Sequence, residues 1–203
     1  SRGLGDVYKR QESAYVLNFG YQGILSTIDT LVSKNDVIVY DSDSHACIID
    51  GVRLHLGKRF TYKHNDIQSL EKNLKRASKV ASNSDGGILV ISEGVFGMRG
   101  EQGKLREIVK LKEKYKFRFL VDDAHGFGTL GKDGSGTGDE QGIQNEIDVY
   151  FATFAKSIAS TGAFIAGSKE VLDFLKYNMR SQMFAKSLQS VLVYGIIKRI
   201  EMM

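Results

Sequence analysis

Phe117-Arg118-Phe119-Leu120-Val121-Asp122-Asp123-Ala124-His125-Gly126 is the stretch on which the fold turns. A short β-forming, mostly apolar run stops abruptly in two carboxylates and a histidine, followed by glycine. The same construction recurs along the chain. Tyr15–Phe19 leads into Gly20-Tyr21, Asp36–Tyr40 into Ser42-Asp43-Ser44-His45, Gly87–Ile91 into Ser92-Glu93-Gly94, and Asp148–Thr153 into Phe154-Ala155-Lys156. Between these runs the apolar residues change to helical spacing. Tyr21–Val32, Ala46–Leu56, Ile67–Val80 (with Asp66 as N-cap) and a Lys-rich Lys104–Tyr115 read as helices. Arg59–Tyr62 and Gly162–Ala166 add strands, and Glu170–Asn178 and Ser187–Met203 close the chain as helices. Strands alternating with helices predict an α/β fold, a mainly parallel sheet with flanking helices. Ligands of such sheets bind beyond the carboxyl ends of the strands, where the polar residues above are gathered.

Bulk properties narrow the function classes. The 203 residues are 42% hydrophobic and 26% charged, ordinary for a globular chain. Basic residues number 28 and acidic 24, a net charge of +4 with mixed signs, which argues against a nucleic-acid partner. No run approaches the ~18 apolar residues of a membrane span. The lone Cys47 cannot form an internal disulfide and no signal peptide is visible, so a cytoplasmic location is expected. The chain has no proline, where average usage gives about ten; we attach no function to this.

A phosphate cradle, two histidines, carboxylates and a lysine on one sheet edge suit pyridoxal 5'-phosphate (PLP), whose pyridinium ring withdraws electrons from a neighbouring carbon. Asp122, leaving an apolar strand, can keep the ring nitrogen protonated. Lys156, with no charged neighbour in sequence, can bond the aldehyde once its amine is neutral, through burial or adjacent cations. The helix start at Gly20-Tyr21 offers N–H groups to a phosphate. His45 can stack on the ring, and His125 can reach its hydroxyl. Taken singly, Lys156 reads as a surface lysine, Asp122 as a turn cap, His45 as a loop histidine, and His125 as the ion-pair partner of Asp123. Two other motifs compete. Gly126–Gly131 matches G-x-G-x-x-G, and Gly126–Lys132 nearly spells a P-loop. Both should open a helix, whereas the continuation Asp133-Gly134-Ser135-Gly136 reads as a loop. No zinc spacing or G-x-S-x-G elbow occurs, so no metal ligand is assigned.

The motifs His45–Leu54 (HACIIDGVRL), Lys63–Asp66 (KHND), Glu93–Gly100 (EGVFGMRG), Val121–Gly131 (VDDAHGFGTLG) and Thr153–Ser157 (TFAKS) carry a resemblance to the α-oxoamine synthases, PLP enzymes of the type I aminotransferase fold. The resemblance runs from about Ser13 to Met203. It implies a cytoplasmic homodimer that condenses a small amino acid with an acyl-CoA and releases CO2 and CoA. Lys156 would bond the cofactor and move the Cα proton. His45 would cover the ring and help position the substrate carboxylate. Asp122 would bind the ring nitrogen and His125 the ring hydroxyl, with Gly20 and Tyr21 at the phosphate, Thr153 near the phosphate or the lysine, and Glu93 in the site wall. An aminotransferase or carbon–carbon lyase of the same fold would share these residues, and a non-catalytic PLP-binding fragment is a third reading. The chain departs from the family at Gly97-Met98-Arg99-Gly100, where Ser-Met-Asp-Gly is frequent, and at Gln22-Gly23-Ile24, where an asparagine is common. Residues 1–11 read as an artefactual leader. Residues 12–203 read as an incomplete PLP-binding large domain that lacks a small C-terminal domain.

Overall fold

The computed structural model describes residues 11–203. Apart from Gln11, the leader expected over residues 1–11 lies outside the described residues. The Gln11 side chain donates to the Gln144 carbonyl at 3.1 Å.

In chain order the elements are β1 (Ser13–Leu17), α1 (Gly20–Leu31), β2 (Val37–Asp41), α2 (Ala46–Leu54), β3 (Lys58–Tyr62), α3 (Ile67–Ser84), β4 (Ile88–Glu93), β5 (Val95–Phe96), β6 (Glu101–Gln102), α4 (Leu105–Lys110), β7 (Arg118–Asp122), α5 (Thr137–Glu140), β8 (Val149–Thr153), β9 (Ala163–Gly167), α6 (Lys169–Asn178), α7 (Arg180–Met183) and α8 (Ser190–Ile200). Seven strands form one sheet in the order β1-β9-β8-β7-β4-β2-β3. The pairs from β8 to β3 are parallel, while β9 is antiparallel to both β8 and β1. Only β9 therefore runs against the rest, and β1 ends on the same edge as β2, β4, β7 and β8.

Alternation along each strand divides the core into two layers, as a period of two requires. Val37, Val39, Phe119, Val121, Tyr150 and Phe164 face α3, α4 and α8. Ile38, Leu89, Leu120, Val149, Phe151 and Ile165 face α1, α2 and α6. With both faces covered, the central strands read as continuous apolar runs. β4, β8 and β9 are buried at every position. Asp66 caps α3 as its sequence position predicts, accepting from the Ser69 N–H at 2.9 Å.

Three local differences have physical reasons. The helix predicted over Lys104–Tyr115 is α-helical only to Lys110 and tightens into a 3-10 turn at Leu111–Glu113. That tightening satisfies its last carbonyls before β7. The last helix is shorter than Ser187–Met203, and α7 precedes it. The hairpin β5–β6 has no sequence signal because each strand is two residues long. The loop Gly126–Gly136 stays a set of turns, tied down by Asp123. That buried carboxylate accepts from Thr137 N–H (2.8 Å), Thr137 Oγ1 (2.7 Å) and Tyr150 OH (2.7 Å). No helix among the described residues is long and apolar enough to cross a membrane.

Phe164 sits at the centre of an aromatic cluster, 5.1 Å from Phe127, 5.5 Å from Phe154 and 5.9 Å from Tyr150 by ring centroids. Phe164→Ala should cost about 3–5 kcal/mol, read as a lowered urea midpoint with an unchanged m-value. A loss under ~1 kcal/mol would show that the cluster does not hold β9 in place.

Candidate active site

The carboxyl edge of the sheet opens into a cavity of about 200 Å³. Gly20, Tyr21, His45, Glu93, Asp122, His125, Thr153 and Lys156 all line it. Each follows or ends a strand of the shared direction, so the sheet, parallel from β8 to β3 and joined to β1 through the reversed β9, gathers residues more than a hundred positions apart. Cys47, Ala124, Phe151 and Ala155 complete the wall and were not singled out from sequence. For Cys47 a signal existed, since it lies inside the His45–Leu54 motif two residues after His45.

Asp122 is the buried base of the cavity. One carboxylate oxygen accepts from the Ala124 N–H at 3.1 Å, so the residue does cap the next turn. The other has the Cys47 thiol at 4.0 Å as its neighbour. Burial, with the nearby Asp123 charge adding, pushes its carboxyl up to about 7. Glu93 is also buried and raised to about 8, by desolvation first and then by the Asp122 charge. Its Oε1 accepts from the His45 backbone N–H at 2.5 Å. This bond ties the end of β4 to the start of α2.

His45 is the N-cap of α2. Its Nδ1 accepts from the Cys47 N–H at 3.3 Å and lies 2.9 Å from the Cys47 thiol. The imidazole is thus fixed over the cavity, with the Tyr21 ring edge-on at 6.2 Å. Tyr21 donates its hydroxyl to Asp50 on α2. No side chain caps α1, whose first residue is Gly20, so its leading N–H groups are available to an anion. A Cβ on Gly20 would approach Thr153 Oγ1 to 2.9 Å, so the turn and the β8 end can meet only with glycine there.

Lys156 is exposed on the cavity wall, and Nζ lies 2.7 Å from His125 Nε2. Burial and the Lys156 charge both lower the His125 pKa, so the neutral ring is set to accept from Lys156. Asp123 accepts from Thr137 and Tyr150. His45 is lowered for the same two reasons, burial and then Lys156. Beside the cavity, Asp41, Asp43 and His64 place one ligand atom each within 4.8 Å of one another. Asp41 already accepts from His64, the Asp43 N–H and the Asn65 N–H, and Asp43 pairs with Arg99.

The model of the class I and II aminotransferases matches residues 4–202. The chain belongs to that family. Within it, the similarity is to α-oxoamine synthases. The cysteate-C-fatty acyltransferase of Capnocytophaga ochracea is 70% identical over 196 residues, which are 97% of this chain and 47% of that protein. The serine palmitoyltransferase of Sphingobacterium spiritivorum is 38% identical over 193 residues, 95% of this chain and 47% of the relative. Among solved structures, serine palmitoyltransferase from S. paucimobilis with bound PLP–myriocin superposes with a TM-score of 0.89 at 30% identity, covering 97% of this chain and 48% of that one. The chain spans about half the length of the curated relatives it matches.

The raised carboxyls fix a pH dependence. Asp122 and Glu93 bind protons more tightly in the fold than in the unfolded chain, where carboxyls titrate near pH ~4. Their contribution to stability is therefore fullest below that range and is lost as pH rises through about 7 to 8. Urea unfolding of the cofactor-free chain should lose roughly 3–7 kcal/mol between about pH 5 and about pH 8. Glu93→Gln, which keeps the acceptor for His45, should make the fall shallower. An unchanged slope in that variant would show that Glu93 is not the titrating group.

Proposed function

We propose that the parent protein binds PLP in this cavity and uses it to condense a small amino acid with an acyl thioester, releasing CO2 and the free thiol. The observation that carries this reading is Asp122. This buried carboxylate has one N–H donor, a thiol at 4.0 Å and only the more distant charge of Lys156 near it, with no ion pair among the described residues, and a pyridinium nitrogen would supply one. The remaining donor set fits the same group. The uncapped start of α1 beside Thr153 suits a phosphate, His45 a flat ring, His125 a ring hydroxyl, and Lys156 an aldehyde. Bound PLP would supply an electron sink that stabilises negative charge at the amino acid's Cα.

The chain's own groups do the rest. Lys156 Nζ takes the Cα proton, and His125 Nε2, 2.7 Å away and neutral, holds the amine in place and shares its proton. The Cα then forms a bond to the thioester carbonyl carbon, and the carbon–sulfur bond breaks with its electron pair leaving on the thiolate, which takes a proton from water. The substrate carboxylate leaves as CO2, and the electron pair left at Cα takes back the proton held on Lys156. Glu93 holds His45 by its backbone N–H, so the ring keeps water off one face of the site. We propose cysteate as the amino acid and a fatty acyl group as the donor, on the strength of the 70% identity to the C. ochracea enzyme. The proposed setting is a cytoplasmic homodimer, consistent with a lone, buried, unpaired cysteine.

The test has two readouts. Borohydride reduction of the PLP-loaded protein should leave a pyridoxyl group on Lys156, mapped by peptide mass. Turnover of the full-length protein should release CO2 and free thiol rather than a keto acid, and Lys156→Ala should lower it about a thousandfold. A folded full-length protein without the adduct, or a keto-acid product, would overturn the reading.

A further inference from the structure

The hairpin β5–β6, whose Gly97 packs against His125 of the cavity, is where this chain departs from the pattern it resembles, with Gly97-Met98-Arg99-Gly100 at its turn. The turn is closed by Arg99 and Gly100 N–H groups donating to the Phe96 carbonyl at 3.0 and 2.9 Å. Its base is fastened to the rest of the domain. The His64 ring packs edge-on against Phe96 at 4.5 Å, and its Nε2 bonds Glu101 at 3.1 Å. Asn65 donates to the Gln102 carbonyl at 3.1 Å. The turn is therefore held in one place relative to the cavity.

That place is against the reacting centre. A Cβ on Gly97 would come within 2.2 Å of His125 Nε2, the atom that bonds Lys156 Nζ. Any side chain at 97 would have to displace His125 or enter the space beside it. Two residues further, the Arg99 guanidinium reaches across to Asp43, with Nε at 2.7 Å. Asp43 stands two residues before His45. Arg99 thus ties the hairpin whose Gly97 packs on His125 to the loop that carries His45, and its side chain remains half exposed at 52%.

Charge gives this position a role. Among the described residues Lys156 is the one lysine or arginine lining the cavity, and its charge acts on the buried carboxyls Glu93 and Asp122. An amino acid carrying a second strong anion beside its carboxylate needs another cation nearby. Arg99 is anchored to Asp43, two residues before His45, by an exposed ion pair that a ligand can exchange at little cost. Its planar fork also matches a three-oxygen anion. We infer that Arg99 is a specificity-determining residue that receives the sulfonate of the amino-acid substrate in place of Asp43, with Gly97 keeping the approach beside His125 open. This rests on the cysteate reading above.

The test uses the full-length protein, with cysteate and serine as competing amino acids and one acyl-CoA. The ratio of kcat/KM for cysteate to that for serine should fall about ten- to a hundredfold in Arg99→Gln, mostly through the KM for cysteate. Arg99→Lys should recover part of the ratio, because a point charge replaces the fork. Borohydride labelling of Lys156 in each variant reports that the fold and cofactor site are intact. An unchanged ratio in a labelled Arg99→Gln protein overturns the inference alone. A wild-type enzyme that prefers serine overturns the inference and the cysteate reading, but leaves the condensation chemistry standing. A labelled wild type that condenses neither overturns the proposed reaction as well.

Discussion

Asp122 has an unfavourable position that the rest of the site accommodates. It closes β7, a strand flanked on both sides by parallel neighbours, and its carboxylate is out of water with one backbone donor within 3.1 Å. A buried charge of this kind shifts its pKa upward unless a cation joins it. The fold surrounds it with groups that do not neutralise it. Cys47 is held as a thiol by burial, Glu93 adds a second raised carboxyl, and the two histidines are kept neutral. The cavity is thus prepared for a cationic ring.

Precision around that carboxylate comes from backbone and from short connections. His45 is fixed three ways, by the N-cap geometry of α2, by Cys47 and by Glu93. The first two contacts are local to the start of α2, whereas the third comes from the end of β4, so a slip of β4 would break the Glu93 contact alone. Asp123, next in sequence to Asp122, points to the opposite side and is spent on Thr137 and Tyr150. Two adjacent carboxylates therefore have separate duties, one facing the ligand space and one anchoring the glycine-rich loop. Period-two alternation imposes this division.

The hairpin β5–β6 and the loop after β2 form the adjustable rim over this fixed floor. Their polar residues are largely exposed and pair with each other rather than with the core. The departures from the α-oxoamine synthase pattern at Gly97 and Arg99 fall in this rim, whereas the five motifs that carry the resemblance include the strand ends that build the floor.

The sequence by itself determined the alternation of strands and helices, the order of the strand-end motifs and the identity of eight of the twelve residues that line the cavity. Apolar periodicity and chemically unusual residues at strand ends are local signals, and they survive without knowledge of contacts. Tertiary structure alone decided three matters. Strand order and the reversal of β9 depend on pairing between segments distant in sequence. The bond between Lys156 and His125 depends on which way neighbouring loops turn. The two-residue strands of the hairpin, and with them the contact of Gly97 on His125, are too short to leave a periodic pattern. Each is a through-space relation, fixed only when the parallel sheet brings its carboxyl ends to one edge.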